Sequence, residues 1–488
     1  MTPAISGTGT IEIKSICAKM FVVDSMENRF RSLPSVDRLM SEDMIKQLRD
    51  EYPHDLLVDL IRQHLEQVRV SITLGNPCPS INEIVESVCA RAQALASPYP
   101  RPVINASGVI LHTNLGRAPL SKEAIAAMEL ASKGYCNLEL DLDSGTRGSR
   151  NTHIEQLLCQ LTGAEAALVV NNNASAVLLA LTALAKRREV IVSRGQAVEI
   201  GGGFRIPEVM KQSGAKLVEV GTTNSTYAQD FEQAIGQRTA ALLRVHSSNF
   251  KIVGFTHSVI LEELVVLGNR YDLPVFDDLG SGCFLDTTKF GLDPEPTAQQ
   301  SISLGVGLAF FSGDKLVGGP QAGIIVGKKH LVDKVKKHPL ARAVRIDKIR
   351  LAGLVATLIP YLKGEAVNNI PVWRMISAPL DEMERRATHW AQALGDLAQV
   401  IEGESMVGGG SLPGDTLPTR LVAVGKQSKK RGQNVAQILA QRLRTQQPPV
   451  VGRISGNVLL LDPRSVIPEE DQAVLQALRS AVASLRRN

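Results

Sequence analysis

The spacing of apolar side chains changes twice along this 488-residue chain and divides it into three blocks. In the first block, residues 1–100, apolar residues recur every three or four positions over residues 41–70 and again over residues 81–96, which predicts helices. The proline-rich segment SPYPRP follows at residues 97–102 and is typical of a linker. The pattern therefore predicts a helical N-terminal domain over residues 1–100.

The second block, residues 101–365, alternates short apolar runs with helical stretches. The runs that we interpret as strands are residues 166–170, 189–192, 240–245, 274–276, 306–311 and 323–326. Such alternation is typical of an α/β domain with a mainly parallel sheet. Because ligands of such sheets bind beyond the carboxyl ends of the strands, the residues that follow these runs are the candidates for chemistry.

The third block, residues 366–488, mixes helical patterns with two short apolar runs, at residues 419–424 and 458–461. The helical patterns cover residues 381–400, 435–444 and 469–486. This mixture predicts a small α+β domain. The predicted fold class is therefore α/β, with a mainly parallel central sheet in a large domain that follows the helical N-terminal domain and precedes the small C-terminal one.

Composition excludes several classes of protein. The chain is 44% hydrophobic and 21% charged, which is typical of a globular protein, and no apolar run is long enough to span a bilayer. Its N-terminus lacks the basic patch and apolar core of a signal peptide. The six cysteines include no CxxC pair, which argues against a disulfide framework or a metal site and favours a reducing cytoplasm.

The first candidate group follows the run at residues 166–170. Asn171, Asn172 and Asn173 come directly after this run, and the small residues Ala174 and Ser175 open a helix. A helix N-terminus offers free backbone N–H groups and a positive dipole end to a phosphate. The alternative is a helix cap followed by a turn.

The second candidate group is a pair of aspartates, and the third is a lysine. Asp277 and Asp278 end a run, and a carboxylate there can hold a protonated ring nitrogen, a metal or a substrate amine, or can belong to a solvated turn. Lys315 ends another run, with Ser312 three residues earlier. It is either a surface lysine or a desolvated amine that forms a Schiff base with an aldehyde. A phosphate site, a carboxylate and an amine are together the three contacts that pyridoxal phosphate needs.

Several long strings between residues 31 and 464 are specific enough to compare with known families. They include RPVINASGVILHTNLGRAPLS, GGGFRIPEVM, VHSSNFKIVGFT, FSGDKLVGGPQAGII and HPLARAVRIDK. In these strings the chain resembles the bacterial selenocysteine synthases, the L-seryl-tRNA(Sec) selenium transferases. The resemblance implies fold type I of pyridoxal-phosphate enzymes and conversion of seryl-tRNA(Sec) to selenocysteinyl-tRNA(Sec) with selenium from selenophosphate. It also implies a cytoplasmic homodecamer whose N-terminal block recognises the tRNA.

The resemblance also implies roles for individual residues. Lys315 matches the Schiff-base lysine of the family, Asp314 beside it supports the catalytic site, and Asp278 pairs with the pyridine nitrogen. Three arginines match residues that bind the phosphate-like anion of the selenium donor: Arg117, Arg342 and Arg345. Arginine forks independently suit such tetrahedral oxyanions.

Two further features are open between a functional and a structural interpretation. His246, which follows the run at residues 240–245, either contacts the cofactor ring or carries a proton, or it is a hydrogen-bonded structural histidine. Residues 328–350 are rich in Lys and Arg, which indicates either a solvated surface helix or a contact with tRNA phosphates. If this segment is helical, the three-residue spacing puts Arg342 and Arg345 on one helix face.

The chain departs from the family pattern at three residues. Gln196 and Ala197 stand where the family has an acid and a leucine, and Ser225 stands where the family has an arginine. The N-terminal block carries 10 Lys and Arg against 13 Asp and Glu, so it is not basic.

Two other functions compete with the selenium transferase interpretation. One is a pyridoxal-phosphate-dependent lyase of the same fold that acts on a small amino acid or an amino sugar phosphate. The long N-terminal block and the arginine pair argue against it, because a small substrate needs neither. The other is a tRNA-binding protein without catalysis, against which the intact Lys315 and Asp278 argue.

Overall fold

The computed structural model of the protein describes residues 30–96, 99–200, 203–425 and 435–485. The chain divides into two compact units, Met1–Arg101 and Pro102–Asn488. Each unit has hydrophobic clusters of its own. Within the described ranges, no helix has both the length and the apolar character needed to cross a membrane.

The N-terminal unit is helical, as its spacing predicts. Its helices α1 to α4 are Val36–Met40, Asp43–Leu48, His54–Thr73 and Ile81–Ala96. In α3, Leu57, Ile61 and Leu65 are buried and recur every four residues, so they form one apolar stripe against the core of this unit. At the start of α4, Ser80 and Glu83 cap each other reciprocally, which fixes where the helix begins.

The second unit contains a seven-stranded sheet. The strands of this unit, β1 to β15 in chain order, are Ile104–Asn105, Ala166–Val170, Glu189–Ser193, Glu199–Ile200, Phe204–Arg205, Lys216–Val220, Thr239–Val245, Val275–Gly280, Leu308–Ser312, Gly323–Gly327, Ala398–Met406, Thr416–Val424, Val450–Val451, Arg453–Ser455 and Val458–Leu461. The central sheet has the order β2-β10-β9-β8-β7-β3-β6. Only β10 runs antiparallel to its neighbours, which confirms the mainly parallel sheet.

Helices of the second unit cover both faces of this sheet. They are α5 to α19, with bounds Lys122–Ser132, Thr152–Thr162, Asn173–Ala185, Ile206–Ser213, Ala228–Ala234, Leu261–Arg270, Ala298–Leu304, Lys329–Lys337, Leu340–Ala343, Lys348–Leu362, Ala366–Asn369, Pro371–Ser377, Leu380–Leu394, Val435–Arg444 and Asp471–Leu485. In β2, Ala167 and Val169 pack into one core, whereas Leu168 and Val170 pack into the other. Burial on both faces explains why the inner strands are continuous apolar runs.

The C-terminal strands form a second, antiparallel sheet in the order β11-β12-β15-β14. Residues of α17, α18 and α19 pack against it in a separate hydrophobic cluster. β1 pairs in parallel with β13, which joins residues 104–105 to this part of the chain. The arrangement has the predicted α+β character, and the boundary between residues 365 and 366 stays a prediction.

Two predicted elements have different bounds in the structure. The helix predicted over residues 381–400 extends too far. In the structure α17 ends at Leu394, and Ala398–Met406 forms β11. The strand predicted at residues 274–276 is longer, since β8 runs to Gly280. Asp277 and Asp278 therefore lie inside a buried strand and not in a solvated turn.

Candidate active site

Four strands of the central sheet end along one edge. β2, β9, β8 and β7 point in the same direction, so their carboxyl ends lie at this common edge. The residues that follow these strands therefore come together although they are far apart in the sequence. This is the edge where α/β sheets of this kind bind ligands.

Lys315 is buried at this edge, in the turn after β9. Only 4% of the residue is exposed, and its Nζ donates a hydrogen bond to the carbonyl oxygen of Gly410 at 3.1 Å. Burial lowers the pKa of Lys315, and the positive charge of Arg117 lowers it further, against the opposing effect of nearby carboxylates. A lowered pKa favours the neutral, nucleophilic amine.

Asp278 lies at the end of β8 and is buried. Asn173 Nδ2 donates a hydrogen bond to Asp278 Oδ1 at 2.9 Å, whereas Asp278 Oδ2 has no hydrogen-bond partner among the described residues. Burial raises the pKa of Asp278 to about 6, although the hydrogen bond from Asn173 and the charge of Lys315 oppose this rise. One carboxylate oxygen is thus held by the protein, and the other is left for a ligand that donates a proton.

Its neighbour Asp277 belongs to a different set of contacts. Successive side chains of a strand point to opposite faces, so Asp277 points away from Asp278. Asp277 Oδ2 accepts a hydrogen bond from Ser301 Oγ at 2.7 Å, and Arg244 Nε lies 3.3 Å from its Oδ1. The structure therefore separates the two aspartates, and Asp278 is the one that faces the site.

The helix that follows β2 begins as the sequence predicts. Asn172 caps α7, and its side chain accepts a hydrogen bond from the backbone N–H of Ser175 at 2.9 Å. This N–H is therefore occupied, and Ser175 has its hydroxyl to offer a phosphate. The backbone N–H groups of Asn173 and Ala174 lie in the first turn, where a helix has no internal acceptor for them. The contact of Asn173 with Asp278 was not predicted.

Gly323 opens β10 and packs against the start of α7. A Cβ at this position would overlap the carbonyl oxygen of Asn172 and lie 2.8 Å from the backbone nitrogen of Asn173. We expect Gly323→Ala to displace the helix start and lower the free energy of unfolding by about 1–3 kcal/mol. Denaturant unfolding measures this, with Gly134→Ala as a control, because a Cβ on Gly134 meets no atom within 4 Å. Equal stability of the two variants would argue against this packing.

Arg117 and Asp314 form an ion pair beside Lys315. Arg117 Nη1 donates a hydrogen bond to Asp314 Oδ2 at 2.9 Å, and the Asp314 side chain is 10% exposed. Arg117 adopts a left-handed backbone conformation with φ of 65°, which a residue with a side chain rarely adopts. The pair places a guanidinium close enough to lower the pKa of the Lys315 amine.

The other two predicted arginines lie outside this group of contacts. A shared helix face for Arg342 and Arg345 required a helix through both residues, and this condition is not met, because α13 is Leu340–Ala343 and ends before Arg345. Both residues are exposed. An isolated antiparallel bridge between Val170 and Arg345 places the backbone of Arg345 at the carboxyl end of β2. Arg345 therefore lies at the edge of the site.

A cavity of about 270 Å³ opens beside the same edge. Its lining includes Gln196 and Ser225, two of the departures from the family pattern, together with His246 and Glu295. The backbone N–H of His246 donates a hydrogen bond to the carbonyl oxygen of Asp278 at 2.8 Å, which places His246 next to the site. Glu295 was not singled out by any sequence pattern, since it lies in a loop with no periodicity.

Several buried polar atoms at this edge lack hydrogen-bond partners within the described part of the chain. They are Asp278 Oδ2, Asn173 Oδ1, Ser248 Oγ and Ser281 Oγ. A Cβ on Gly280 would lie 3.2 Å from Ser248 Oγ and 3.7 Å from Lys315 Nζ, so the Ser248 hydroxyl lies near the amine. Buried polar groups without partners are rare, and a polar ligand completes them. Pyridoxal phosphate fits this set, because it carries a ring nitrogen, a hydroxyl and a phosphate.

The fold and the site define a pyridoxal-phosphate-dependent enzyme of fold type I. A sequence profile described as L-seryl-tRNA selenium transferase matches residues 103–467, and one described as selenocysteine synthase N terminal matches residues 30–69. The chain therefore belongs to the L-seryl-tRNA selenium transferase family.

Individual relatives agree with this assignment. The L-seryl-tRNA(Sec) selenium transferase of Nitratidesulfovibrio vulgaris is 49% identical over 480 residues, which cover 94% of this chain and 100% of the relative. That of Geobacter sulfurreducens is 46% identical over 463 residues, which cover 92% of this chain and 98% of the relative. Among solved structures, a D-glucosaminate-6-phosphate ammonia-lyase has 21% identity and a TM-score of 0.55, covering 80% of this chain and 98% of that one. This last similarity shows the fold alone.

Proposed function

We propose that this chain converts L-seryl-tRNA(Sec) to L-selenocysteinyl-tRNA(Sec), by eliminating the serine hydroxyl and adding selenium from selenophosphate. The observation that carries the proposal is a buried lysine with a lowered pKa, Lys315, beside the buried Asp278 at the carboxyl edge of the sheet. Relatives that are 49% and 46% identical over more than nine-tenths of the chain carry this activity in their names.

The residues at this edge would hold pyridoxal 5′-phosphate by three contacts. Lys315 would bind its aldehyde carbon, and Asp278 Oδ2 would accept a hydrogen bond from its protonated ring nitrogen. The N–H groups of Asn173 and Ala174 and the hydroxyl of Ser175, at the start of α7, would hold its phosphate. When bound, the cofactor supplies an electron sink that stabilises the carbanion at the serine Cα. Two further residues border this site as cofactor contacts: Ser312 and His246.

Lys315 is the base of the reaction. Burial favours its neutral amine, which accepts the Cα proton of the serine. The carbonyl oxygen of Gly410 holds Nζ in a fixed direction. Asp278 is ionised at neutral pH, because its pKa lies near 6, so it keeps a proton on the ring nitrogen that it faces.

The three arginines bind the selenium donor. Selenophosphate is a tetrahedral oxyanion, and a guanidinium donates two parallel hydrogen bonds to such a group. Asp314 accepts one hydrogen bond from Arg117 and leaves its other donors for the anion. Arg342 and Arg345 are exposed, and the backbone of Arg345 pairs with Val170 at the carboxyl end of β2.

We expect Arg345→Ala to raise the KM for selenophosphate about 10- to 100-fold, because a charge-assisted hydrogen bond contributes about 1.5–3 kcal/mol. Release of water from seryl-tRNA should be unaffected, since the hydroxyl leaves before selenium arrives. Steady-state kinetics over a range of selenophosphate concentrations measure the effect. The control is Arg385→Ala, an exposed arginine whose ion-pair partner Asp381 is four residues away. An unchanged KM for Arg345→Ala would remove Arg345 from the donor site.

The proposal also covers recognition of the tRNA and the oligomeric state of the chain. The helical N-terminal domain recognises the tRNA, by shape rather than by charge, because its acidic residues outnumber its basic ones. The basic residues of 328–350 contact the phosphates of the same tRNA. The chain acts in the cytoplasm, where charged tRNA is used, as a ring-shaped homodecamer with active sites between subunits.

A parallel substrate comparison tests this function against a small-molecule lyase. The cofactor-loaded protein is incubated separately with seryl-tRNA(Sec), free L-serine and D-glucosaminate 6-phosphate. We expect turnover of the first substrate alone. Ammonia release from either small molecule, with seryl-tRNA(Sec) unchanged, would replace the proposed function with the lyase.

A further inference from the structure

A buried glutamate outside the predicted site faces His246. The side chain of Glu295 is 3% exposed, and its Oε1 lies 3.3 Å from Nε2 of His246, whose side chain is 22% exposed. Neither atom has an aligned hydrogen bond within the described part of the chain. A buried carboxylate is unfavourable unless it is paired or serves a ligand, so this pair calls for a chemical explanation.

The chain fixes both members of the pair. The backbone N–H of Glu295 donates a hydrogen bond to Thr287 Oγ1 at 3.0 Å, and Thr287 Oγ1 in turn donates to the carbonyl oxygen of Asp293 at 2.6 Å. These contacts hold the loop so that the Glu295 side chain is directed inwards. The backbone N–H of His246 is held by the carbonyl oxygen of Asp278. The backbone of His246 is therefore tied to the site residue Asp278, and its Nε2 faces the carboxylate of Glu295.

Glu295 is also close enough to Lys315 for its charge to affect the pKa of the Lys315 amine. The negative charge of Glu295 is one of the influences that raise the pKa of the Lys315 amine. Both Glu295 and His246 line the cavity beside the site, so solvent reaches the pair from that side. The pair thus lies within electrostatic range of the reacting amine and borders the cavity.

The reaction needs an acid that the residues described so far do not supply. Hydroxide is a poor leaving group, and Lys315 is occupied with the Cα proton. We propose that Glu295 is a positioning residue, which holds the imidazole of His246 as the acid for the departing serine hydroxyl. This inference rests on the proposed function.

Elimination of the hydroxyl from the seryl group conserves atoms and electrons. The Lys315 amine takes the Cα proton, and the electron pair of the Cα–H bond becomes the second Cα–Cβ bond. The Cβ–Oγ bond breaks, and Oγ leaves with its electron pair while it takes the proton from Nδ1 of protonated His246, whose Nε2 faces Glu295. The hydroxyl departs as water, and neutral His246 regains a proton from solvent in the cavity.

A change of leaving group tests this role. Chloride departs without a proton, so β-chloroalanyl-tRNA(Sec) needs Lys315 but no acid. We expect Glu295→Gln to slow single-turnover elimination from seryl-tRNA(Sec) about 100-fold, within the usual range for loss of an acid, and to leave elimination from β-chloroalanyl-tRNA(Sec) within about threefold of the unmodified chain. Asp293→Asn, an exposed carboxylate on the same loop, should leave both rates unchanged.

A second readout needs neither cofactor nor turnover. Diethyl pyrocarbonate modifies accessible imidazole nitrogens, and Nε2 of His246 is shielded in the native chain. In cofactor-free Glu295→Ala, modification of His246, mapped by mass spectrometry, should be severalfold faster than in the native protein.

The outcomes distinguish the inference from the proposed function. Equal slowing of both substrates by Glu295→Gln, or unchanged modification of His246 in Glu295→Ala, would overturn the role of the pair and leave the proposed function intact. A native enzyme that turns over neither aminoacyl-tRNA would instead overturn the proposed function.

Discussion

Lys315→Ala is expected to lose both the visible absorbance of lysine-bound cofactor and all measurable turnover. The amine of Lys315 is the covalent attachment point and also the base, so no other group replaces it. Loss of the base alone lowers a rate by about 10²–10⁴-fold, and loss of attachment adds to this. The absorption spectrum measures the first effect, and borohydride reduction followed by peptide mass spectrometry identifies the modified lysine.

A matched lysine variant controls for loss of charge. Lys133→Ala removes an exposed amine that pairs with Glu129, so its spectrum and turnover should equal those of the native chain. A Lys315→Ala protein that keeps the band after dialysis and reduction would show that a different lysine binds the cofactor.

Asp278→Asn is expected to lower turnover by about 10²-fold or more while it stabilises the cofactor-free protein. Asparagine does not hold a proton on the ring nitrogen, so the electron sink is weakened. Burial raises the pKa of Asp278 from 3.8 to about 6, which means that the fold favours the neutral carboxyl. The contribution of Asp278 to the stability is therefore greatest below its ordinary pKa of 3.8 and is lost as the pH rises through about 6. At pH 7.5 the ionised carboxylate costs roughly 3 kcal/mol, a cost that asparagine avoids.

Thermal unfolding of the two cofactor-free proteins at pH 7.5 and pH 5 measures this effect. The melting temperature of Asp278→Asn should exceed that of the native chain at pH 7.5, and the difference should narrow at pH 5. Asp277→Asn is the matched control, because Asp277 pairs with Arg244 and accepts from Ser301, so its loss should lower the melting temperature. Equal shifts of the same sign for both variants would contradict the separation of the two aspartates.

The sequence predicted which residues lie at the carboxyl edge of the central sheet, but not which of them contact each other there. Burial on both faces makes the inner strands continuous apolar runs, so β2 and the residues that follow it were visible in the pattern. The edge strand β6 was missed because Lys216 and Glu219 are exposed and interrupt its apolar pattern. The hydrogen bond between Asn173 and Asp278 joins residues 105 positions apart, and no local spacing encodes such a contact.

Some residues of the site were predictable from the sequence, and others were not. Lys315 follows a strand and Asp278 lies near the end of one, so both pattern and family resemblance pointed to them. Glu295 lies in an irregular loop, and its burial against His246 depends on how that loop folds over the sheet. A shared helix face for Arg342 and Arg345 depended on a helix through both residues, and α13 stops at Ala343. The kinetic test of Arg345→Ala addresses the role of Arg345 in binding the donor.

One turnover assay tests the central claim most directly. Purified protein, pyridoxal 5′-phosphate, serine-charged selenocysteine tRNA and selenophosphate are mixed, the tRNA is recovered, and the amino acid attached to it is identified by mass spectrometry after mild hydrolysis. The account predicts selenocysteine on the tRNA, and no selenocysteine when selenophosphate is omitted. Unchanged serine on the recovered tRNA, from a protein that shows the absorbance of lysine-bound cofactor, would contradict it.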